Sequence, residues 1–238
     1  DRVRALMMTA LDAARGAAPA RKVETPELAF SAQVAPPIRE TQRLAPASMK
    51  TLAPGVHVYD FGQNFSGHVR LKVKGVAGTS VLLRFAEVVS ADGHIDTANL
   101  RGARASDTYV LKGQGTEVYE PSFTYHGFRY VELTGYPGTL PKDAIEGVVI
   151  HSDCAITGVL KSSDPLIDRI WRNALWSQRS NLVGIPTDCP QRDERLGWMG
   201  DAQVFWNTAS YTMDVDGFTR RFMGDARSAQ VKGSFPDV

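Results

Sequence analysis

Short runs of alternating apolar and polar residues fill the middle of the chain, and this alternation is typical of half-buried β-strands. Glycine, proline and aspartate separate the runs, and the clearest turns are Gly62-Gln63-Asn64 and Ala91-Asp92-Gly93. Short strands at this spacing favour an antiparallel β-sandwich or barrel. The pattern predicts strands over residues 56–61, 68–73, 81–87, 107–111, 117–123, 128–134 and 145–150.

After residue 151 the spacing of the apolar residues changes to that of amphipathic helices. Asp164-Pro165 predicts a helix start, because aspartate caps free N–H groups and proline fits the first helical position. Apolar residues then share one face, and Gly184-Ile185-Pro186 ends this helix. Two further helices are predicted over residues 202–211 and 217–230. Such helices, with broad apolar faces, indicate the opening part of a larger helical body.

The first 48 residues carry a weaker pattern. Apolar residues at helical spacing predict a short helix over residues 1–15, and the prolines after it indicate an extended connector. We interpret residues 1–48 as a connector or the tail of a preceding domain. Residues 49–151 then form a β-sandwich domain, and residues 152–238 form the N-terminal part of a helical domain.

Composition and charge narrow the classes of function. The 27 basic and 26 acidic residues give a formal net charge of +1 without a basic block, which argues against nucleic-acid binding. No apolar stretch approaches the ~18 residues of a membrane span, so we expect no membrane partner. Cys154 and Cys189 lack metal-ligand spacing and favour free thiols, with a bridge between them left open. We expect no metal and no cofactor, while compartment and oligomeric state are not indicated.

The densest polar cluster lies between the first and second predicted helices, over residues 188–201. Its four carboxylates are close to two arginines, and such crowding can keep one acid protonated and another ionised. A glycosidase needs a protonated carboxyl to release the leaving oxygen, and an indole such as Trp198 suits the C–H face of a sugar. The same composition also fits a salt-bridged loop with Trp198 as a core residue, and composition alone leaves both open.

Residues 188–203, Asp-Cys-Pro-Gln-Arg-Asp-Glu-Arg-Leu-Gly-Trp-Met-Gly-Asp-Ala-Gln, resemble the active-site signature of the bacterial α-L-rhamnosidases. Residues 59–67, Tyr-Asp-Phe-Gly-Gln-Asn-Phe-Ser-Gly, are similar to the start of a β-sandwich domain in that family. Residues 123–130, Phe-Thr-Tyr-His-Gly-Phe-Arg-Tyr, are similar to a later strand pair of the same domain. The three segments occur in the family's order, which makes the resemblance specific.

The resemblance implies a β-sandwich followed by the first helices of an (α/α) toroid barrel, and hydrolysis of terminal α-L-rhamnosides with inversion. Glu194 matches the general acid. Asp188, Arg192 and Asp201 match residues that hold the rhamnose hydroxyls, and Trp198 matches an aromatic wall of the sugar pocket. Asp193 has two open roles: it tunes the proton affinity of Glu194, or it pairs with Arg195.

In this family the general base comes from a later part of the toroid, so we expect it beyond Val238, and we expect the first native residues to precede Asp1. The 238 residues are therefore interpreted as an internal fragment that is inactive alone. Two alternatives stay open. One is a non-catalytic carbohydrate-binding β-sandwich, and the other is an inverting glycosidase of different sugar specificity. The expected binding partner is a rhamnose-containing glycoside or polysaccharide, and the sequence does not indicate the group to which the rhamnose is attached.

Overall fold

The computed structural model describes Glu24, residues 30–138 and residues 140–238, and residues 33–238 fold as one unit. The helix predicted over residues 1–15 lies outside the described residues. The strands are β1 (Ile38–Leu44), β2 (Ser48–Ala53), β3 (Val56–Lys74), β4 (Ser80–Ala86), β5 (Val88–Val89), β6 (Ile95–Asp96), β7 (Ser106–Val110), β8 (Thr116–Tyr119), β9 (His126–Thr134), β10 (Ile145–Ser152), β11 (Leu182–Val183) and β12 (Ile185–Pro186). The helices are α1 (Pro165–Asn181), α2 (Met199–Thr212) and α3 (Asp216–Ser228), with short 3₁₀ turns at Ala98–Leu100 and Lys142–Ala144.

Eight strands form one curled antiparallel sheet in the order β1-β10-β3-β9-β4-β7, with β2 and β8 also paired to β3. The long strand β3 is the centre of this sheet. Its first half pairs with β2 and β9, and its second half pairs with β10 and β8. One continuous strand therefore joins both halves of the curled sheet, which confirms the predicted antiparallel β architecture.

The turn predicted at residues 62–64 is wrong as a chain reversal. The chain continues as β3, and the register against β9 shifts between Asp60 and Phe65. Gly62 takes a positive φ of 73° there, and its N–H donates to Asp60 Oδ1 at 2.6 Å. A glycine in this conformation produces a local irregularity as readily as a hairpin, since extra residues in one strand make a bulge.

Alternating residues of the strands build the main core. In β4 the residues Val81, Leu83 and Phe85 are fully buried while Leu82 and Arg84 between them are more exposed, as the period of two requires. Phe65 and Phe128 pack with ring centroids 4.5 Å apart, and Phe85 lies edge-on to Phe128 at 4.8 Å. Burial of these aromatic side chains stabilises the sheet.

The segment that we interpreted as a connector contributes an edge strand. Strand β1 pairs antiparallel with β10, and Ile38 lies opposite Ser152. Pro36 and Pro37 precede this strand, and Pro46 follows it. Proline favours extended backbone around it but cannot donate to a ladder, so these residues delimit an edge strand rather than a free linker.

Three helices follow the sheet, as the sequence predicted. Asp164 is the N-cap of α1, and its Oδ1 accepts a hydrogen bond from Leu166 N at 2.8 Å. A second core of Cys154, Leu182, Ala209, Met213, Val215 and Phe218 joins the helices. Leu166 is 62% exposed, and Ile167 and Ile170 on the same face are also exposed. None of the described helices is long and apolar enough to cross a membrane.

Candidate active site

The polar cluster forms a closed loop between β12 and α2, and we name residues 187–198 the acid loop. Asp188 closes it twice: its N–H donates to Leu196 O at 3.0 Å, and its Oδ1 accepts from Leu196 N at 2.7 Å. Asn181 of α1 holds the loop from outside, because its Nδ2 donates to Asp188 O at 2.9 Å. These bonds bring the two ends of the acid loop together and fix its path.

Glu194 lies at the centre of this loop with its side chain only 19% exposed. Its Oε1 accepts a hydrogen bond from the indole Nε1 of Trp198 at 3.1 Å. Its Oε2 receives Arg192 Nη2 at 2.6 Å and Arg101 Nη1 at 3.0 Å. Three donors from two separate parts of the chain therefore hold one carboxylate.

A cavity of about 530 Å³ opens beside Glu194 and has the size of a small-molecule site. Five of the predicted site residues line it together: Asp188, Arg192, Glu194, Trp198 and Asp201. Residues of α1 and α2, including Gln178, Asn181, Phe205 and Trp206, complete the wall. The structure thus places the predicted carboxylates, guanidinium and indole around one space that can receive a sugar.

A second cavity of about 310 Å³ lies between the acid loop and loops of the sheet region. Glu194 and Arg192 line both cavities, whereas Asp193 lines only the second. Arg195 donates to Tyr125 O at 2.8 Å, and its guanidinium lies 4.0 Å from the centre of the Tyr125 ring. Within the described residues Arg195 makes no ion pair with Asp193, so that pairing is not observed.

Two glycines allow the sheet region to approach the acid loop closely. A Cβ atom at Gly127 of β9 would lie 2.9 Å from Gln191 N, and one at Gly102 would lie 3.0 Å from Asp193 Oδ2. Real Cβ atoms avoid the first distance and tolerate the second only if the neighbour moves. The acid loop is therefore packed directly on the sheet region, and the Gly in the motif Tyr-His-Gly-Phe is needed for that contact.

Arg192 and Cys189 influence each other inside the first cavity. Burial by itself lowers the pKa of Arg192, but the neighbouring Cys189, Glu194 and Asp188 outweigh it and raise this pKa. Burial raises the pKa of Cys189, and the hydrogen bond to Asp188 adds to that effect. Arg192 is thus a fixed cation, and its buried Nε has no hydrogen-bond partner within the described residues.

Asp188, Cys189 and Glu194 offer ligand atoms within 4.8 Å of one another, as a bound metal ion would require. Two guanidinium groups already contact Glu194, and the raised pKa of Cys189 keeps its thiol neutral. A cation needs deprotonated thiolate and unpaired carboxylate, which this set does not offer. The arrangement is better suited to hydrogen bonds with hydroxyl groups.

Arg101 is the main residue of the site that the sequence did not suggest. It lies 93 positions before Glu194, in the sheet region, and the family signature does not include it. Trp206 of α2 belongs both to the helical core and to the cavity wall. Its ring stacks on Phe222 at 5.9 Å and its Nε1 donates to Thr219, while part of the side chain lines the cavity.

Comparison with known proteins gives matches along the described part of the chain. Residues 50–151 match the bacterial alpha-L-rhamnosidase concanavalin-like domain, and residues 155–238 match the bacterial alpha-L-rhamnosidase 6 hairpin glycosidase domain. An alpha-L-rhamnosidase of Streptomyces avermitilis is 50% identical over 208 residues, covering 87% of this chain and 20% of that protein. One of Formosa agariphila is 42% identical over 184 residues, covering 76% of this chain and 20% of that protein.

Solved structures agree with these matches. The crystal structure of the Streptomyces avermitilis enzyme complexed with L-rhamnose has a TM-score of 0.86 at 50% identity, over 87% of this chain and 20% of that chain. The structure of alpha-L-rhamnosidase from Dictyoglumus thermophilum has a TM-score of 0.85 at 47% identity, over 87% of this chain and 24% of that chain. The chain spans about a fifth of the length of the curated relatives that it matches.

Proposed function

Because this chain belongs to the bacterial α-L-rhamnosidase family, we propose that it supplies the acid-bearing part of an active site for terminal α-L-rhamnosides. The observation that carries this proposal is the convergence of Asp188, Arg192, Glu194, Trp198 and Asp201 on one cavity. A carbohydrate-binding module has no need of a carboxylate held by three donors inside such a cavity.

Glu194 is the general acid in this proposal. It donates its proton to the glycosidic oxygen as the bond between that oxygen and C1 breaks, so that the leaving group departs as a neutral alcohol. A water molecule attacks C1 from the opposite face and gives its proton to a general base, which inverts the anomeric configuration. The bond from Trp198 Nε1 to Glu194 Oε1 fixes the carboxyl plane for this transfer.

The remaining lining residues hold the sugar. Asp188 and Asp201 accept hydrogen bonds from rhamnose hydroxyls, and Arg192 donates to them, a role supported by the position of all three residues on the cavity wall. The indole of Trp198 packs on the C–H face and the C6 methyl group. Asp193 faces the second cavity and modulates the charge around Glu194 without contacting the sugar.

The general base is a separate residue. An oxygen of Asp188 lies within 4.8 Å of one of Glu194, whereas inversion needs carboxyl groups about 6.5–9.5 Å apart to leave room for water. Asp188 is therefore assigned to sugar binding. We place the base outside the acid loop, in the part of a longer enzyme that corresponds to the remaining length of the relatives.

The test is hydrolysis of p-nitrophenyl α-L-rhamnoside by the complete protein that carries this chain, followed by proton NMR from the first turnover. Inversion predicts β-L-rhamnose as the first product. α-L-rhamnose as the first product would contradict inversion. An absence of hydrolysis would favour the alternative of a non-catalytic carbohydrate-binding β-sandwich.

A parallel assay with p-nitrophenyl α-L-mannoside addresses the choice of sugar, because L-mannose differs from L-rhamnose only by a hydroxyl group at C6. An apolar wall discriminates against an added hydroxyl by about 10²-fold. Equal kcat/KM values for the two substrates would contradict the contact between Trp198 and the C6 methyl group.

A further inference from the structure

We propose that Arg101 is a positioning residue that holds the carboxylate of Glu194 in place. This inference rests on the proposed role of Glu194 as general acid and adds a residue from the sheet region to the acid's machinery. Arg101 lies in the tight turn Leu100–Ala103, which we name the Arg101 turn.

The backbone of the Arg101 turn is strained at the arginine itself. Ala103 N donates to Leu100 O at 3.0 Å, and Arg101 has φ 56° and ψ −119°. This is the conformation of the second residue of a type II′ turn, where glycine is normally found. A side chain persists in such a conformation when its surroundings compensate for the strain. For Arg101 the contacts of its guanidinium group can provide this compensation.

The guanidinium group of Arg101 contacts the carboxylate of Glu194. Arg101 Nη1 lies 3.0 Å from Glu194 Oε2, the same oxygen that Arg192 contacts. The Arg101 side chain is 56% exposed, whereas that of Arg192 is 24% exposed. Gly102, the next residue, packs against Asp193 closely enough to fix the Arg101 turn on the acid loop. The Arg101 turn therefore presents a charged donor to Glu194, and Arg101 does not itself line the cavity of about 530 Å³ beside Glu194.

The consequence concerns the orientation of Glu194. A general acid must lie within hydrogen-bond reach of the leaving oxygen, and neighbouring groups that hold its side chain preserve this geometry. The cations facing Glu194 are Arg101, Arg192 and, across the second cavity, Arg104 and Arg195, with His126 beside them. The acidic groups facing it are Asp188, Cys189, Asp193 and Asp201. Arg101 does not line the cavity beside Glu194, so a substitution there changes the support of Glu194 without changing the cavity wall.

The experiment measures kcat and KM for methyl α-L-rhamnoside, whose poor leaving group needs the acid, with the complete protein that carries this chain. Arg101→Gln removes the charge, and Arg101→Lys keeps it. We expect Arg101→Gln to lower kcat by about 3–10-fold with KM nearly unchanged, because Arg101 does not line the cavity beside Glu194. Arg101→Lys should recover most of this loss.

Two controls separate this effect from damage to the fold. Arg101→Gly removes the side chain while suiting the turn, so its Tm should equal or exceed the wild-type Tm while its kcat still falls. Arg84→Gln breaks another arginine–glutamate contact of the sheet region, Arg84 Nη1 to Glu132 Oε1 at 3.2 Å, and should leave kcat unchanged. An unchanged kcat in both Arg101→Gln and Arg101→Gly would overturn the inference.

A spectroscopic measurement on the 238-residue chain needs no turnover. The indole of Trp198 donates to Glu194, so the Trp198 part of the fluorescence, obtained by subtracting a Trp198→Phe variant, reports the position of this carboxylate. At a fixed neutral pH this signal should change in Arg101→Gln and Arg101→Gly but not in Arg84→Gln. A signal unchanged by both Arg101 substitutions would overturn the inference, whereas full activity of Glu194→Gln would refute the proposed acid instead.

Discussion

Two free thiols of this chain lie in different surroundings. Cys154 is buried in the helical core, and burial raises its pKa to about 11, with Asp214 and Asp153 adding to the effect. Cys189 is half-buried and lines the cavity beside Glu194, where burial and Asp188 raise its pKa. Both residues are therefore thiols at neutral pH, but only Cys189 lies where a bound sugar can cover it.

This difference predicts selective alkylation. At mildly alkaline pH, iodoacetamide should modify Cys189 before Cys154, and saturating L-rhamnose should slow modification of Cys189. Peptide mass spectrometry of the native chain measures both rates, and the urea-unfolded chain is the control in which both thiols react alike. Equal native rates, or no protection by rhamnose, would argue against a sugar in this cavity.

At Gly127 a single methyl group is expected to disturb the active site. Because Cβ would lie 2.9 Å from Gln191 N, Gly127→Ala should push the acid loop away from the sheet. We expect a loss of about 1–3 kcal/mol in the free energy of unfolding, together with weaker rhamnose binding by calorimetry.

Gly224→Ala is the matched control for this substitution, since no atom lies within 4 Å of its added methyl group and the position is inside α3. It should leave binding unchanged and stabilise the chain by about 0.5–1 kcal/mol. An equal effect of the two substitutions would show that the contact between β9 and the acid loop has no special role.

The residues of the site differ in how far the sequence predicts them. Asp188, Arg192, Glu194, Trp198 and Asp201 lie within one short segment, so a local motif was sufficient to propose them together. Arg101 acts across 93 positions through a turn whose backbone conformation leaves no mark in composition or periodicity. Such a contact exists only after the sheet has folded, and a single sequence cannot reveal it.

At the scale of elements, the N-cap of α1 predicts a measurable contribution to stability. Asp164 Oδ1 accepts from Leu166 N, and Asp164→Ala should lower the free energy of unfolding by about 0.5–2 kcal/mol. Asp164→Asn keeps a side-chain oxygen and should cost much less. Urea denaturation monitored by circular dichroism gives both values, and indistinguishable midpoints would contradict the role of this cap.

Periodicity predicted helices better than strand connections. The observed α2 and α3 agree with their predicted ranges within a few residues, because the spacing of apolar residues is a local signal. The same reasoning divided β3 in two, since the glycine and asparagine near residue 63 produce a bulge rather than a hairpin. Whether glycine reverses a strand or only bends it depends on its pairing partner, here β9, which is distant in sequence.

The whole molecule should lose stability in acid. Partner groups lower the pKa of Glu40, Asp60, Glu117 and Asp168, so the folded chain binds fewer protons than the unfolded chain below about pH 5. The resulting stability is complete above the unfolded carboxyl pKa and is lost as pH falls through the lower folded values. For Asp60, two hydrogen bonds from Arg129 are the leading cause, with burial opposing them and Gly62 N–H assisting.

Asp60→Asn tests this pH dependence. Because Arg129 is partly exposed, we expect a loss of only about 1 kcal/mol at neutral pH, and a loss that shrinks toward zero in strong acid. Thermal unfolding across that pH range measures the difference between the variant and the wild-type chain. A difference that stays constant with pH would mean that the charge of Asp60 does not contribute.

At this largest scale the site is made by the sheet region and the helices together. Arg101 and Gly127 come from the sheet region, while the acid loop and Asp201 follow α1. The fold class follows from alternation and periodicity, but this meeting of distant segments depends on the curled geometry of the whole sheet. The carboxylate of Glu194 lies where the sheet region and the acid loop meet, and it is therefore central to the proposed function.

The most direct test compares Glu194→Gln with the wild type in the complete protein that carries this chain, using methyl and p-nitrophenyl α-L-rhamnosides. Methanol is a poor leaving group that needs protonation, whereas nitrophenol needs little. We expect a loss of about 10²–10⁴-fold for the methyl glycoside and a clearly smaller loss for the nitrophenyl glycoside, with unchanged circular dichroism. Full activity, or an equal loss with both substrates, would contradict Glu194 as the general acid.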